Sequence, residues 1–226
     1  MKHIFYLMIL AFTILSCNRK TEKTTDHLVV LKKADNKIKL HKLKKLFVVG
    51  DFEGDGIKDT IFQHNFSKRT KTEIKNGADP FQNDWETVVK WFYDQDADVN
   101  LTLNKKNTDI LHLGVAQGLY CLINIGDNNA DDKDEIAFVI DYLDFSRVNS
   151  CKIYSLCDNR WVLLKQFDVH EDSFDFTPKE VPVFANIKDF LEKRNGSWWY
   201  KDYSQNSYDS EEEVGKMMKL KLDKCK

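Results

Sequence analysis

The chain has 226 residues, of which 42% are hydrophobic and 31% charged, and its formal net charge at pH 7 is −2. This hydrophobic fraction is sufficient for a packed core and excludes a generally disordered chain. A net charge near zero argues against a nucleic-acid-binding protein, which normally carries a concentrated basic face.

Residues 1–16 have the pattern of a secretory signal. Lys2 is followed by an apolar run over residues 4–15 and then by a small residue before Cys17. The run is too short to span a bilayer comfortably, and no later stretch reaches the roughly 20 apolar residues of a spanning helix. The ending "ILSC" resembles the lipobox of bacterial lipoproteins, which implies cleavage before Cys17 and acylation of that cysteine. In the alternative interpretation, Cys17 is an ordinary residue that follows a signal peptide.

Residues 17–26 are expected to form a polar tether between a lipid anchor and the folded domain. Every residue from 18 to 26 is polar or charged, which is typical of a flexible segment. Two or more acyl chains give stable anchoring, so the resemblance implies a protein tethered to a membrane of the cell envelope. The tether lacks the acidic cluster associated with surface export in some lipoproteins. A periplasm-facing position on the outer membrane is therefore slightly favoured over the cell surface.

Short apolar runs separated by turn residues predict one mainly β domain over residues 27–226, built from antiparallel sheet. Enrichment in β-branched and aromatic residues within these runs supports the strand assignments. The basic stretch 37–45 alternates with apolar residues, which fits a solvated strand face better than contact with anionic head groups. The predicted strands are 27–33, 38–49, 59–66, 98–103, 108–113, 118–125, 135–142, 150–157 and 161–169.

Three further elements are predicted. The stretch 84–95 is expected to be a helix capped by Asn83 or Asp84, because its apolar residues recur at helical spacing. The dipeptide "NG" at 195–196 stands between apolar flanks and predicts a β-hairpin. An exposed acidic loop then leads to a last strand at 216–222.

Four cysteines follow Cys17, and their spacing matches no metal-binding pattern. Cys151 and Cys157 on one extended strand would lie about 20 Å apart. They could not bond to each other, because bridged Cα atoms lie within about 7 Å. An exported protein can keep disulfides, so a bond from Cys121 to either cysteine and buried free thiols both remain open. Cys225 is the fourth of these cysteines.

Two segments share a pattern of acidic residues, and we call them loop 1 (residues 50–62) and loop 2 (residues 126–138). The sequences around them are "VVGDFEGDGIKDTIF" and "NIGDNNADDKDEIAF". Each has oxygen-bearing side chains at loop positions one, three, five and nine, after a glycine and before an apolar strand. A turn needs only one or two glycines or asparagines. Calcium, in contrast, takes six to eight oxygens, favouring carboxylates plus a backbone carbonyl, which position seven would provide.

The flanks of the loops exclude an EF-hand, because Phe62 or Phe138 stands where that loop has a bidentate glutamate and the flanks are strands. The pattern DxExDGxxD, after a glycine and before an apolar strand, resembles the FG-GAP/VCBS repeats of integrin α-chain propellers and of many secreted bacterial proteins. The resemblance implies a calcium ion held in each hairpin-like loop. The ligands that it implies are Asp51, Glu53, Asp55, Ile57 (carbonyl) and Asp59 in loop 1, and Asp127, Asn129, Asp131, Lys133 (carbonyl) and Glu135 in loop 2.

The chain departs from the family pattern in three ways. Glu53 is longer than the usual Asp or Asn, and Asp132 replaces Gly56 at a position that often needs a positive φ. The two loops are also 76 residues apart, counting from Asp51 to Asp127. Propeller blades recur about every 40 to 60 residues. We therefore expect a compact antiparallel β-sheet protein with two calcium hairpins, partly propeller-like, and not a complete seven-bladed propeller.

Catalytic motifs are absent from the sequence: it contains no HExxH, GxSxG, Walker loop or GxGxxG. No catalytic residue is predicted. The sequence favours an exported, membrane-anchored binding or interaction module that is stabilised by calcium and binds an unknown protein or glycan. Two alternatives remain, a glycan-active envelope hydrolase with structural calcium and a small periplasmic inhibitor or immunity-type protein.

Overall fold

The chain divides into two units, Met1–Asn36 and Lys37–Lys226, and the computed structural model describes residues of the second unit only. The signal peptide, Cys17, the tether and the predicted strand 27–33 lie outside the described residues. Within the described residues, no helix is both long and apolar enough to cross a membrane. The described stretches are 37–105, 109–174, 185–205 and 215–225.

The described protein is mainly β, with fourteen strands, one α-helix and two short 3-10 helices. The strands are β1 (Leu40–Lys42), β2 (Phe47–Gly50), β3 (Asp59–Ser67), β4 (Thr72–Glu73), β5 (Asn76–Ala78), β6 (Ala97–Leu103), β7 (Leu111–Gly114), β8 (Gly118–Gly126), β9 (Glu135–Asp141), β10 (Val148–Cys157), β11 (Arg160–His170), β12 (Leu191–Arg194), β13 (Ser197–Tyr200) and β14 (Met218–Lys219). The helix α1 spans Trp85–Asp94, and the 3-10 helices span Glu171–Ser173 and Tyr203–Gln205.

The strands form antiparallel sheets, as the sequence predicted. Sheet 1 has the order β2-β3-β6-β7, with β4 paired to β3, and sheet 2 has the order β8-β9-β10-β11. Sheet 3 has the order β12-β13-β14, and β1 pairs with β5. None of these described sheets closes on itself. Sheet 2 is a four-stranded meander, whereas sheet 1 has five strands and β4, β5 and α1 lie between β3 and β6 in the chain. Each sheet begins with one of the two acidic hairpins.

Sheet 2 lies between sheets 1 and 3, and its strands β8 and β9 are buried on both faces. Because successive side chains of a strand point to opposite faces, Leu122 and Ile123 enter different cores. Leu122 and Phe138 pack in a cluster with Leu101 of sheet 1. Ile123 packs in a second cluster with Trp198 of sheet 3. The fold is thus a stack of layers in which sheet 2 positions loop 2 at its edge.

The helix is confirmed, and the structure selects Asp84 rather than Asn83 as its cap. The Asp84 side chain accepts a hydrogen bond of 2.8 Å from the backbone N–H of Thr87, which satisfies a donor left free at the helix start. Val88 and Phe92 are buried on one face of α1, where they join a third apolar cluster.

Two strand predictions were too long. The stretch 38–49 contains two strands, β1 and β2, which pair with different partners. The N–H of Leu43 still donates to the carbonyl of Lys75 beside β5 at 3.0 Å, whereas the carbonyl of Leu46 accepts from the N–H of Gln63 in β3 at 2.9 Å. The chain therefore changes partner between these two residues. The predicted strand 216–222 is reduced to β14, since only Met218–Lys219 pairs with β13.

The cysteines adopt an arrangement that the spacing did not reveal. A disulfide joins Cys157 at the end of β10 to Cys225, across a sequence separation of 68. Cys121 and Cys151 are free and buried, so Cys121 forms neither of the bonds left open above. Burial raises the pKa of the Cys121 thiol to about 12, which leaves it inert at neutral pH. The disulfide attaches the C-terminal segment to sheet 2.

Candidate metal centre

The two acidic loops are equivalent hairpins. Gly50 pairs with Asp59 in sheet 1, and Gly126 pairs with Glu135 in sheet 2. Each loop therefore closes between the same two positions, the glycine before position one and the carboxylate at position nine. Asp132 has a φ of 68°, which confirms that position six needs a positive φ.

In loop 1 the first carboxylate organises the backbone. Oδ1 of Asp51 accepts hydrogen bonds from the N–H groups of Gly54 (2.8 Å) and Asp55 (3.1 Å). Its Oδ2 accepts from the N–H of Gly56 at 2.8 Å. Oδ1 of Asp55 then accepts from the N–H of Ile57 at 2.9 Å. Asp51 thus closes the turn, while the Ile57 side chain is exposed.

Loop 2 repeats this hydrogen-bond pattern position by position. Oδ1 of Asp127 accepts from the N–H groups of Ala130 (2.7 Å) and Asp131 (3.3 Å), and its Oδ2 accepts from the N–H of Asp132 (3.1 Å). Oδ1 of Asp131 accepts from the N–H of Lys133 at 3.2 Å. The sequence similarity of the two loops therefore corresponds to one shared backbone conformation.

The loops differ in what lies among their carboxylates. In loop 1 the Nζ of Lys105 donates hydrogen bonds to Glu53 and, at 3.2 Å, to Oδ2 of Asp55. The same Nζ lies 2.9 Å from Oδ2 of the buried Asp59. A hydrogen bond from the backbone of Ile57, with the bond from Lys105, lowers the pKa of Asp55. Three of the four side chains predicted as ligands in loop 1 therefore contact an ammonium group.

In loop 2 the carboxylates converge without such a partner. One oxygen from each of Asp127, Asp131 and Glu135 lies within 4.8 Å of the others, the only group of this kind found in the described part of the chain. Glu135 is 0% exposed. Its Oε2 accepts from the N–H of Asn128 at 2.8 Å, whereas its Oε1 has no hydrogen-bond donor among the described residues.

The electrostatics of loop 2 follow from this geometry. Burial raises the pKa of Glu135 to about 8, the neighbouring charges of Asp131 and Asp127 add to the shift, and the N–H of Asn128 opposes it. A buried oxygen without a donor costs free energy, and clustered carboxylates repel each other unless a cation offsets their charge. The donor set suits a hard divalent cation, because it contains only oxygen ligands.

Asn129, the other side chain predicted as a ligand in loop 2, has hydrogen-bond partners of its own. Oδ1 of Asn129 accepts from the N–H of Asp131 at 3.0 Å, and its Nδ2 donates to Oδ2 of Asp131 at 3.1 Å. The Lys133 side chain turns away from the carboxylates and donates to the carbonyl of Leu156 at 3.1 Å. This orientation keeps the ammonium of Lys133 bound to the backbone of β10.

The C-terminal segment covers loop 2, a contact that sequence analysis missed. The carbonyl of Asp223 accepts from Nδ2 of Asn129 at 3.1 Å, and the N–H of Cys225 donates to Oδ2 of Asp131 at 3.3 Å. Nζ of Lys224 donates to the carbonyl of Ala130 at 2.5 Å. Nothing in the local sequence could have indicated these contacts, because they span 94 residues.

Sequence analysis also missed the contact of Lys105 with loop 1, although the register of two strands indicates it. In the β3–β6 ladder Ile61 pairs with Leu103, and extending this register by two residues places Lys105 opposite Asp59. A strand pairing known in advance would therefore have brought the lysine to loop 1. Sequence alone did not supply that pairing.

The two loops are neighbours at the edges of their sheets. Nδ2 of Asn124 in β8 donates to the carbonyl of Val49 in β2 at 2.9 Å and to Oδ2 of Asp134 at 2.9 Å. A Cβ added to Gly50 would lie 2.5 Å from Oδ2 of Asp134 and would also overlap Asn124. Gly50 is therefore required for the close approach of the two hairpins.

Comparison of the chain with family models, with curated proteins and with solved structures found no match. The site and the fold define a mainly antiparallel β protein with a carboxylate cluster in a hairpin loop. The likeness of the loops to FG-GAP/VCBS repeats remains a prediction from the two segments that carry it.

Proposed function

We propose that this protein is a binding module held at the cell envelope by a lipid anchor, and that a calcium ion in loop 2 stabilises it. The observation that carries the proposal is the buried Glu135 oxygen that lacks a donor beside Asp127 and Asp131. A cation at this place would satisfy that oxygen and relieve the repulsion. Because such an ion binds only the native state, it adds stability that grows with its free concentration.

Calcium is the cation that the donor set favours. The cluster holds carboxylates and no histidine or cysteine, which disfavours zinc and copper. Asn129 and the carbonyl of Lys133 would complete an irregular oxygen shell, which calcium tolerates better than magnesium does. Extracellular modules bind calcium with dissociation constants of about 10⁻⁴ to 10⁻³ M, a range that suits a compartment outside the cytoplasm.

Support for an envelope location comes from two separate features. The "ILSC" ending at residues 14–17 is the first, and it implies acylation of Cys17. The second is the Cys157–Cys225 disulfide, because disulfides persist in oxidising compartments and are rare in the cytosol. The outer membrane, with the domain facing the periplasm, remains the proposed position.

Support for a partly propeller-like binding module comes from the repeated architecture. A five-stranded and a four-stranded antiparallel sheet, each opened by an acidic hairpin, pack face to face. The outer face of sheet 1 also exposes apolar side chains: Phe47 is 63% exposed and lies opposite Phe62, which is 40% exposed. Val49 is exposed two residues along the same strand. Clustered exposed apolar residues mark interaction surfaces, here for a protein or glycan partner.

Differential scanning fluorimetry tests the calcium proposal. With a dissociation constant near 10⁻⁴ M, 10 mM calcium would add about 2.7 kcal/mol, which corresponds to a rise in melting temperature of about 5 to 10 °C over EDTA for a domain of this size. We expect Asp131→Ala to abolish the rise. Asp55→Ala is the matched control, since Asp55 occupies the equivalent position in loop 1, and it should keep the rise.

Equal melting temperatures of the wild-type protein in EDTA and in calcium would contradict the proposal. A full calcium response in Asp131→Ala would move the site away from loop 2.

A further inference from the structure

The position that Lys105 occupies in loop 1 has a counterpart in loop 2. In the β9–β10 ladder Tyr154 pairs with Ile136, so extending the register by one residue places Ser155 opposite Glu135. The corresponding extension in sheet 1 places Lys105 opposite Asp59. The residue opposite loop position nine on the neighbouring strand therefore differs between the loops: it is a lysine beside loop 1 and a small, fully buried serine beside loop 2.

We propose that Lys105 is the built-in cation of loop 1, so that this loop closes without metal while loop 2 depends on a metal ion. The comparison with loop 2 rests on the proposed function, whereas the role of Lys105 in loop 1 rests on its own contacts. The ammonium group donates hydrogen bonds to Glu53 and Asp55. It forms an ion pair with Asp59, whose buried Oδ2 accepts no hydrogen bond from the described residues.

A tethered ammonium and a calcium ion cannot share this place. The three carboxylates that would ligate the metal already contact Nζ, at 2.9 Å from Asp59 and 3.2 Å from Asp55. Calcium would have to displace the ammonium of Lys105, which is part of the chain and stays at the loop whatever the concentration of calcium or chelator. Chelators cannot remove Lys105, so loop 1 keeps its conformation in EDTA. Calcium concentrations that saturate loop 2 leave loop 1 without metal.

The same reasoning makes loop 1 a latent metal site. Its backbone conformation matches that of loop 2, and the carboxylate at position one, Asp51, makes the same hydrogen bonds as Asp127. Removing the ammonium leaves Glu53, Asp55 and Asp59 clustered without a cation. Lys105→Ser, which copies the residue beside loop 2, should therefore create a second calcium site.

Isothermal titration of chelator-stripped protein with calcium chloride tests the inference. We expect one ion per wild-type chain and two per Lys105→Ser chain. In EDTA, Lys105→Ser should melt below the wild-type protein, and calcium should restore its stability. Lys58→Ser is the matched control, because Lys58 is an exposed lysine of loop 1, and it should still bind one ion.

The double variant Lys105→Ser/Asp131→Ala separates this inference from the proposed function. One ion bound by the double variant supports the latent site in loop 1, whatever loop 2 does. If the wild-type chain binds no calcium and Lys105→Ser binds one ion, the proposed function fails and the role of Lys105 stands.

Two ions per wild-type chain, or one ion that is lost in Asp55→Ala and kept in Asp131→Ala, would overturn the inference. These last measurements need no substitution at Lys105 and remain decisive if that variant does not fold. A folded Lys105→Ser chain with unchanged stoichiometry would also overturn it.

Discussion

Asp51 and Asp134 are joined by two reciprocal hydrogen bonds. The N–H of Asp51 donates to Oδ2 of Asp134 at 3.0 Å, and the N–H of Asp134 donates to the carbonyl of Asp51 at 2.7 Å. Asp134 precedes Glu135 in loop 2, and Asp51 occupies position one of loop 1. The pair therefore holds the two loops against each other.

Asp134→Ala is expected to destabilise the protein by about 1 to 2 kcal/mol, because the N–H of Asp51 and Nδ2 of Asn124 each lose an acceptor in a partly buried place. Urea unfolding in EDTA measures this loss. Lys58 occupies the equivalent position in loop 1 and is exposed, so Lys58→Ala should change stability by less than about 0.5 kcal/mol. Equal effects of the two variants would show that the contact between the loops adds no stability.

The two phenylalanines at loop position twelve should respond differently to truncation. Phe138 is 0% exposed between sheets 1 and 2, whereas Phe62 is 40% exposed on the outer face of sheet 1. Phe138→Ala should lower the free energy of unfolding by about 3 to 5 kcal/mol through loss of burial and a cavity. Phe62→Ala should cost about 1 kcal/mol or less. A similar loss for both in chemical denaturation would contradict the layered packing of the sheets.

Stability of the calcium-free protein should fall as pH rises from about 4.5 to 8. The folded pKa of Glu135 is about 8 against an ordinary value of 4.5, so between these pH values the native state holds a proton that the unfolded state has lost. The contribution of protonated Glu135 to the free energy of unfolding is complete below the pKa of the unfolded state. It is lost as the pH approaches the pKa of the folded state, by up to about 1.4 kcal/mol per pH unit.

Calcium competes with that proton, so its affinity should rise with pH up to about 8. Thermal scans across this range, in EDTA and in calcium, measure both effects. Burial also raises the pKa of Asp141, to about 6, so Glu135→Gln should flatten the profile in EDTA above that pH and abolish the calcium response. A wild-type profile in EDTA that is flat over the range would be inconsistent with a protonated Glu135.

Reduction of the Cys157–Cys225 disulfide should lower both stability and calcium affinity. The disulfide closes a loop of 68 residues. In the chain-entropy account, such a bond restricts the unfolded chain and adds about 4 kcal/mol to the free energy of unfolding, which reduction would remove. Reduction also frees the segment whose N–H at Cys225 bonds to Asp131. Melting temperatures with and without reductant measure the effect. The melting temperature of Cys157→Ser should be lower than that of the wild-type protein and should not change with reductant. A wild-type protein that is insensitive to reductant would argue against the bond.

The sequence by itself determined the features that depend on neighbours along the chain. Short apolar runs rich in β-branched and aromatic residues located strands such as β3 and β9 to within a residue or two. The helical spacing of apolar residues located α1 and left its cap between Asn83 and Asp84. The backbone of the two loops was equally predictable, including the positive φ at Asp132, because each first-position carboxylate bonds only to N–H groups three to five residues away.

Only the tertiary structure decided which loop lacks a cation. Lys105 reaches loop 1 through the register of β3 with β6, and the segment at Cys225 reaches loop 2 through a disulfide across the sheet. Strand register and the stacking of sheets are set by side chains far apart in sequence. Two loops with the same spacing of oxygen-bearing side chains therefore differ in charge balance, one with an ammonium at its centre and the other with the buried carboxylate of Glu135.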